Sequence, residues 1–282
     1  VAAAVGAGAA PSGAAWTEEQ TAYLNAVAKD LKANAGKCVV IPGEQAAPGV
    51  HLAAIAINQA LGNVGKTVVY TETVNPMPTV QIDEMKQLVE DLNAGKVDWL
   101  VILDTNPVYD APADLAFEKA MGHAKTVAHL GLYVDETGQI ADWHINGTHY
   151  LEMWSDVRAY DGTVSIVQPM IDPLYGGKSA HHIVQIMLAD PNMSPNAAVQ
   201  QTWASAVGGT NVDQNGDSHG PLSPGWRKAL HDGWIANTAF APKTVSAKNI
   251  SLPAVSVPDP SIMEVIFRPD PNIYDGRWSN VG

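Results

Sequence analysis

The stretch Trp99-Leu-Val-Ile-Leu103, with Asp104-Thr-Asn-Pro107 directly after it, predicts a short buried strand that ends in a turn. A second apolar run, at 126–132, stops in the same way before Asp135-Glu-Thr137. Short apolar strands that alternate with helical segments are typical of a parallel sheet, in which ligands bind where the strands end. The sequence therefore predicts an α/β fold, a parallel sheet with helices on both faces.

The segment before Trp99 is expected to supply two more parallel strands, at 38–41 and 67–70, so that the sheet has four. Thr17 and Gln20 have the spacing of a capping box at the start of the first helix. Apolar periodicity predicts helices at 17–35, 50–61, 81–94 and 110–121. Right-handed crossovers between the strands would place these helices on the two faces.

The pattern is less regular after residue 142. It predicts a strand at 163–167 and helices at 180–188, 195–207 (with Ser194 as its cap) and 225–236. Residues 208–220 are rich in Gly, Asn and Asp, but they lack the Glu that ends a calcium-binding loop, so we interpret them as a plain loop. One further strand is expected at 263–267.

These elements predict four segments. They are a flexible N-terminal segment at 1–16, an α/β domain at 17–190, a helical and loop extension at 191–241, and an extended Pro-rich tail at 242–282 that leads to a further domain. The N-terminus has neither an initiator Met nor the basic start of a signal peptide. We therefore expect a piece of a longer chain, with a processed mature protein as the alternative.

Composition excludes several classes of function. The formal net charge is -13, and no Lys/Arg cluster offsets it, so a nucleic-acid partner is not expected. Cys38 is the only cysteine, so this chain forms no internal disulfide and carries no iron–sulfur cluster by itself. No run of about 18 apolar residues occurs, and the chain itself is therefore expected to be soluble.

Common catalytic motifs are absent. The sequence contains no Gly-x-Ser-x-Gly, no phosphate-binding loop and no histidine pair with the spacing of a zinc hydrolase, although it has nine histidines. No metal site and no catalytic residue are predicted. Asp104, Asn106 and Asp135 follow strands at the edge where ligands bind, but from these residues alone the capping of turns is the favoured interpretation.

Four motifs in order resemble the molybdopterin oxidoreductases of the dimethyl sulfoxide reductase type. That family has Gly-Asn-x-Gly, then Asn-Pro, then Glu-Thr-x-x-x-Ala-Asp followed by Leu-Pro, and then Glu. This chain has Gly62-Asn63-Val-Gly65, Asn106-Pro107, Glu136-Thr137 through Ala141-Asp142, and Glu152. Ile145-Asn146 stands where the family has Leu-Pro, which leaves the turn on the cofactor side less restricted.

The match is closer to one branch. Segments 144–156, 160–169, 173–177, 267–271 and 274–278 resemble the molybdopterin-like large subunit of alternative complex III, a membrane-bound quinol oxidoreductase. In that subunit the molybdopterin-type domain is fused to an iron–sulfur domain. The resemblance implies a Rossmann-like domain and a location on the periplasmic face of a membrane. It also implies iron–sulfur clusters elsewhere in the parent protein and partners among its other domains and the iron–sulfur and membrane quinol-oxidising subunits.

The resemblance also assigns candidate site residues. In relatives that bear the cofactor, the loops that hold Asn106, Pro107 and Asp135 contribute to binding one half of the pterin dinucleotide. The alternative complex III branch lacks that cofactor, so these three positions would be a vestige, and no cofactor is expected in this chain.

Three functions remain open at this point. The first, which we favour, is a structural domain without its own redox centre in a respiratory quinol:electron-acceptor oxidoreductase, so that this chain alone is not catalytic. The second is a cofactor-binding fragment of a catalytic enzyme that holds molybdopterin guanine dinucleotide. The third is a soluble α/β protein that binds a small ligand in a pocket between the loops at 43–48 and 104–110.

Overall fold

The computed structural model describes residues 1–8, 16–210, 212–213, 222–245, 261, 263, 265–268, 270–272 and 274. The chain divides into two compact units. One comprises 1–71 with 241–282, and the other comprises 72–240. The division at residue 71 falls inside the predicted 17–190 domain. The fold is a mixture of helices and strands that includes a three-stranded parallel sheet, which confirms the α/β class.

Two helices form the frame of the first unit. Helix α1 (Glu18–Ala33) begins with the predicted capping box, because Thr17 and Gln20 bond to each other's backbone N–H. Helix α2 (Pro48–Ala60) follows. A short 3-10 turn at Ala3–Val5 adds to a small core, whose buried members are Val5, Ala28, Ile57 and Leu61.

The predicted strands at 38–41 and 67–70 are wrong, since neither segment forms a ladder. Asn58, which is 6% exposed, accepts from Val40 N (2.9 Å) and donates to Val40 O (2.8 Å). The Thr67 hydroxyl donates to Cys38 O (2.6 Å), and Val68 N bonds to Asn63 O. Side chains and turns therefore take up backbone groups that a neighbouring strand would need.

The second unit contains the parallel sheet. Strands β1 (Trp99–Leu103), β2 (Thr126–Gly131) and β3 (Trp143–Asn146) lie side by side in that order and run in the same direction. The first two strands match the sequence prediction, and the third was not predicted. Helix α3 (Gln81–Asn93) contributes Val89 and Leu92 to the core of this part, where they pack with residues of β1 and β2.

The single helix predicted at 110–121 is also wrong. The structure has helix α4 (Pro107–Asp110), a 3-10 turn and helix α5 (Phe117–Met121) instead. Pro112 is extended, and Ala116 has a left-handed backbone with φ 47°. A proline without an N–H and a left-handed residue four positions later interrupt the helical hydrogen bonds. Helix α6 (Glu136–Ile140) lies between β2 and β3.

An antiparallel sheet forms the rest of this unit. Strands β4 (Ser155–Arg158), β5 (Val164–Val167) and β6 (Trp234–Ile235) pair in that order, and β5 confirms the prediction at 163–167. The helices are α7 (Ala180–Met187), α8 (Pro195–Val207) and α9 (Pro224–Asp232). Ser194 caps α8 as predicted. The predicted helix at 225–236 ends early, because Gly233 is left-handed and β6 follows it.

The core of this part is separate from that of the parallel sheet. Its buried members include Val164, Ile166, Val199, Val207 and Trp226, and Trp226 is 1% exposed. A second feature of this region is Arg158, whose guanidinium lies 4.9 Å from the ring centre of Trp203 and 4.7 Å from that of Phe240. These cation–π contacts join Arg158 of β4 to Trp203 of α8 and to Phe240.

Two of the predicted elements after residue 207 lie partly outside the described residues. The predicted loop at 208–220 is described only at 208–210 and 212–213. The predicted strand at 263–267 is described at four of its five positions, and none of these four lies in a strand. Within the described ranges, no helix is long and apolar enough to cross a bilayer.

Candidate functional site

The candidate site lies where the three parallel strands end. Asp104 follows β1 with a left-handed backbone (φ 52°), which Asp tolerates better than most residues, and its N–H bonds to Leu130 O (2.9 Å). This turn directs the chain into the segment that contains Asn106 and α4. The corresponding segment after β2 leads to Asp135 and α6. The two loops to which the resemblance assigns cofactor contacts are therefore neighbours.

Asn106 joins these two loops. Its Oδ1 accepts from the hydroxyl of Thr137 (2.7 Å) and from the backbone N–H of Thr137 (3.2 Å). Its Nδ2 donates to Oε2 of Glu136 (2.7 Å). This hydrogen bond, followed by that of the backbone N–H of Glu136, lowers the pKa of the Glu136 carboxyl. Both polar atoms of the Asn106 side chain are thus used within the protein.

Thr137 also joins the two loops, and it does so through a buried side chain. Its side chain is completely buried, and besides donating to Asn106 it accepts from the backbone N–H of Val108 (3.1 Å) in α4. Pro107 is the buried first residue of that helix. A proline is well suited to this position because it has no N–H to satisfy. We call Asn106, Glu136 and Thr137 the rim network.

Asp135 caps α6. Its Oδ1 accepts from the backbone N–H of Gly138 (2.8 Å), as a residue at the N-cap of a helix does. The same Oδ1 lies 3.8 Å from Nδ1 of His129. Asp135 and Asn106 therefore approach the same end of α6, where each is hydrogen-bonded to part of its first turn.

A pair of histidines lies beneath these loops. His129 on β2 and His144 on β3 are register partners, and their Nδ1 atoms are 3.1 Å apart. Nε2 of His129 is 3.0 Å from Thr105 O, and a carbonyl oxygen can only accept, so Nε2 carries the proton. When Nδ1 of His129 carries no proton, it is the acceptor and Nδ1 of His144 donates to it.

Two glycines allow the backbone to pack closely against the histidine pair. A Cβ on Gly138 would lie 2.8 Å from Nδ1 of His144 and 3.1 Å from Nδ1 of His129. A Cβ on Gly131 would lie 2.8 Å from Cε1 of His129. His129 itself is completely buried. The backbone therefore closes over the histidines at a distance that any larger residue would prevent.

The sequence prediction identified only part of this arrangement. Asn106 and Pro107 follow β1, and Asp135 follows β2 directly before Glu136 and Thr137 at the start of α6. The contact between His129 and His144 was missed, because it depends on the register of a strand that was not predicted. Among the residues that the structure describes, no group of three His, Cys, Asp or Glu side chains converges in a way that could hold a metal ion.

Two small clefts lie near the helices that follow β1 and β2. One, of about 240 Å³, is lined by residues around α4 and α5, including Val108, Pro112 and Phe117. The other, of about 180 Å³, includes Met121 and Ile140. Pockets for small molecules usually measure about 300–1,000 Å³. Neither cleft has the size of a site for a large cofactor.

The histidine pair predicts a dependence of stability on pH. Burial, and after it the proximity of His129, lowers the pKa of His144 below its ordinary value of 6.5, while Asp135 opposes this. Below about pH 6.5 the unfolded chain therefore binds a proton that the folded chain does not. We expect the free energy of unfolding to be highest above this pH and to fall as the pH drops towards the lowered pKa. The slope for one proton is at most about 1.4 kcal/mol per pH unit, and screening of this half-buried ring reduces it.

Urea denaturation of the wild type and of His144→Gln, each at several pH values between about 5 and 8, measures this slope. The variant keeps an N–H that can donate to His129 but does not titrate, so its slope should be smaller. His182 also has a pKa lowered by burial and contributes in the same direction, which is why the difference between the two proteins is the relevant quantity. Equal slopes would contradict the prediction.

Comparison with known proteins found no protein-family model and no curated protein sequence that matches the chain.

Proposed function

We propose that the chain is a structural domain of a molybdopterin-oxidoreductase-like subunit, within a membrane-bound quinol:electron-acceptor oxidoreductase of the alternative complex III type. In this proposal the parallel sheet is the centre of a Rossmann-like domain, and the domain has no redox centre of its own. The parent protein lies on the periplasmic face of the membrane, where iron–sulfur and quinol-oxidising subunits carry the electrons. The domain supports these subunits by binding to them.

The observation that carries this proposal is the way in which Asn106 is used. The resemblance assigns this side chain to the pterin dinucleotide, and such a role needs free donors or acceptors that point towards the ligand. Here Oδ1 accepts two hydrogen bonds from Thr137, and Nδ2 donates to Glu136. The side chain joins two loops of the protein. This is the role expected of a binding-site residue that now serves only the structure.

Asp135 and Pro107 support the same interpretation. Asp135 caps α6, and Pro107 is the buried start of α4. All three candidate positions thus have a role in the folding of the loops. A ligand that accepts from Asn106 could use only the second N–H of Nδ2. A ligand that donates to Oδ1 would displace a contact with Thr137, whose side chain is completely buried. Leaving such groups without partners costs about 1–3 kcal/mol each, so we favour the structural role over cofactor binding.

The amount of metal in the parent protein tests the proposal. The protein should be purified from its native membrane in mild detergent, and its molybdenum and tungsten should be measured by mass spectrometry together with the fluorescence of oxidised pterin. We expect neither metal above trace amounts and no pterin. A catalytic molybdopterin oxidoreductase, purified in the same way, should give a stoichiometric signal and serves as the control. A stoichiometric amount of either metal in the parent protein would overturn the proposal.

A further inference from the structure

Six large apolar side chains are exposed beside the ends of β2 and β3. They come from two segments, the residues directly after β2 and a loop before α7. Their exposed fractions are 49% for Leu132, 76% for Tyr133, 60% for Val134, 76% for Met170, 67% for Leu174 and 82% for Tyr175. We call these six residues the rim patch.

Backbone contacts show that the two segments are close to each other. Gly147 N bonds to Gly131 O (2.8 Å), immediately before Leu132. On the other side of this chain, Nδ2 of Asn146 donates to Tyr175 O (3.4 Å), and Lys178 N bonds to Asn146 O (2.8 Å). The two segments are thus separated by about two strand spacings, or roughly 10 Å.

Hydrogen bonds to Leu151 and Glu152 fix the loop that carries Met170 and Leu174. Met170 N bonds to Leu151 O (2.7 Å). The Glu152 carboxylate accepts from the backbone N–H of Leu174 (3.1 Å) and from that of His149 (3.0 Å), and these bonds lower its pKa. Its ionised form therefore anchors the loop, so this part of the rim patch is presented by a fixed backbone.

The rim patch is large for a surface exposed to water. With about 150 Å² for a fully exposed large side chain, the six exposed fractions correspond to roughly 600 Å². Monomeric proteins rarely expose contiguous apolar patches above a few hundred Å². A stable protein–protein interface buries about 800 Å² on each partner. The six side chains together therefore expose an area comparable to most of one side of such an interface, in two segments that flank residues 146–147.

Two exposed carboxylates and one exposed lysine lie close to the rim patch in the sequence. Glu136 is two positions after Val134, and Asp172 lies between Met170 and Leu174. Lys178 is three positions after Tyr175. The whole chain has a formal net charge of -13. The partner that complements this surface has apolar residues at its centre and positive charges around them.

We infer that the rim patch binds a polypeptide segment of a neighbouring subunit, and that this segment has apolar side chains flanked by Lys or Arg. The inference rests on the proposed assembly function and names the face through which the domain performs it. A second copy of the chain is the poorer occupant, because each copy carries a formal net charge of -13. An anionic lipid surface is disfavoured for the same electrostatic reason.

Photo-crosslinking in the assembled complex tests the inference. Benzoylphenylalanine should replace Tyr133 in one variant and Tyr175 in another, and the protein should be irradiated in its native membranes. Tyr160, which is 96% exposed in the turn between β4 and β5, is the control position. We expect both patch positions to crosslink to the same polypeptide segment of another subunit, and we expect that segment to be apolar with a net positive charge. The control should give at least a tenfold weaker crosslink to it.

The crosslinked segment, made as a peptide, gives a second measurement. Its affinity for this chain should fall as salt rises, and it should fall at least tenfold in the double variant Tyr133→Ser/Tyr175→Ser. Circular dichroism checks that the variant is folded, which we expect because both side chains are exposed. Crosslinks to lipid, to a second copy of the chain or to an acidic segment would overturn the inference. So would the absence of crosslinks, or an unchanged affinity in the variant.

The two proposals can fail separately. A complex that contains no molybdenum or tungsten and gives no crosslink at the rim patch would retain the structural function but exclude this face. A complex with stoichiometric metal and the expected crosslink would exclude the structural function and retain the docking surface.

Discussion

We expect Asn106→Leu to lower the free energy of unfolding by about 2–6 kcal/mol, because two buried donors each lose a partner at about 1–3 kcal/mol. The leucine fills a similar volume but accepts no hydrogen bond. The backbone N–H and the hydroxyl of Thr137, which now bond to Asn106 at 3.2 and 2.7 Å, would be left without it. Urea denaturation followed by tryptophan fluorescence measures the change, since Trp99 and Trp143 lie in the same sheet.

Two further variants separate the contributions to the rim network. Glu136→Gln keeps an acceptor for Nδ2 of Asn106 at an exposed position, so a loss below about 0.5 kcal/mol is expected. Asn106→Asp keeps the acceptor for Thr137 but places a carboxylate oxygen against Glu136, at a position where 2.7 Å now separates donor and acceptor. Its stability should be low at neutral pH and recover in acid, as one of the two carboxylates becomes protonated. A leucine variant as stable as the wild type would show that the rim network does not form in solution.

The second large effect is expected at Gly225, near the start of α9. A Cβ at this position would overlap the carbonyl oxygen of Val207 and lie 2.8 Å from its carbonyl carbon. Both are backbone atoms, and Val207 belongs to the core that contains Trp226. Because neither helix can yield without disturbing that core, Gly225→Ala should cost about 3 kcal/mol or more.

Gly208→Ala is the matched control for this substitution. Gly208 ends α8 with φ +77°, and a Cβ there meets nothing within 4 Å. Only the strain of a left-handed alanine is expected, at about 1–2 kcal/mol. Thermal and urea unfolding should therefore rank Gly225→Ala as the less stable variant. The opposite order would mean that α8 and α9 do not approach as closely as the structure shows.

The sequence was sufficient to predict the elements in which the apolar pattern matches the burial of the residues in the structure. Strand β1 is a continuous apolar run, and β2 has Val127, Ala128 and Leu130 around His129; both strands were predicted. Helix α3 has a clear apolar face and the predicted bounds to within one residue. The strands expected at 38–41 and 67–70 are apolar as well, but buried Asn58 and Asn63 bind backbone groups in and around these segments. A pattern of apolar residues carries no information on such competing hydrogen bonds.

The candidate site was predictable to a similar extent. Asn106 and Asp135 follow neighbouring strands, and the rule that ligands bind at strand ends is enough to place them near each other. The histidine pair was not predictable, because β3 contains His144 and Asn146 and does not have the composition of a buried strand. The role of Gly138 depends on how closely its backbone approaches the rings of His129 and His144. This distance can be read only from the structure.

The position of β1 at the edge of the parallel sheet affects how the isolated protein can aggregate. Strand β1 is paired with β2 on one side, and the described residues add no strand on its other side. An unprotected edge is a template on which another extended chain can add. Aggregation of the isolated protein through this edge would rely on peptide groups. Because each copy carries a formal net charge of -13, added salt would screen the repulsion between copies and favour this aggregation.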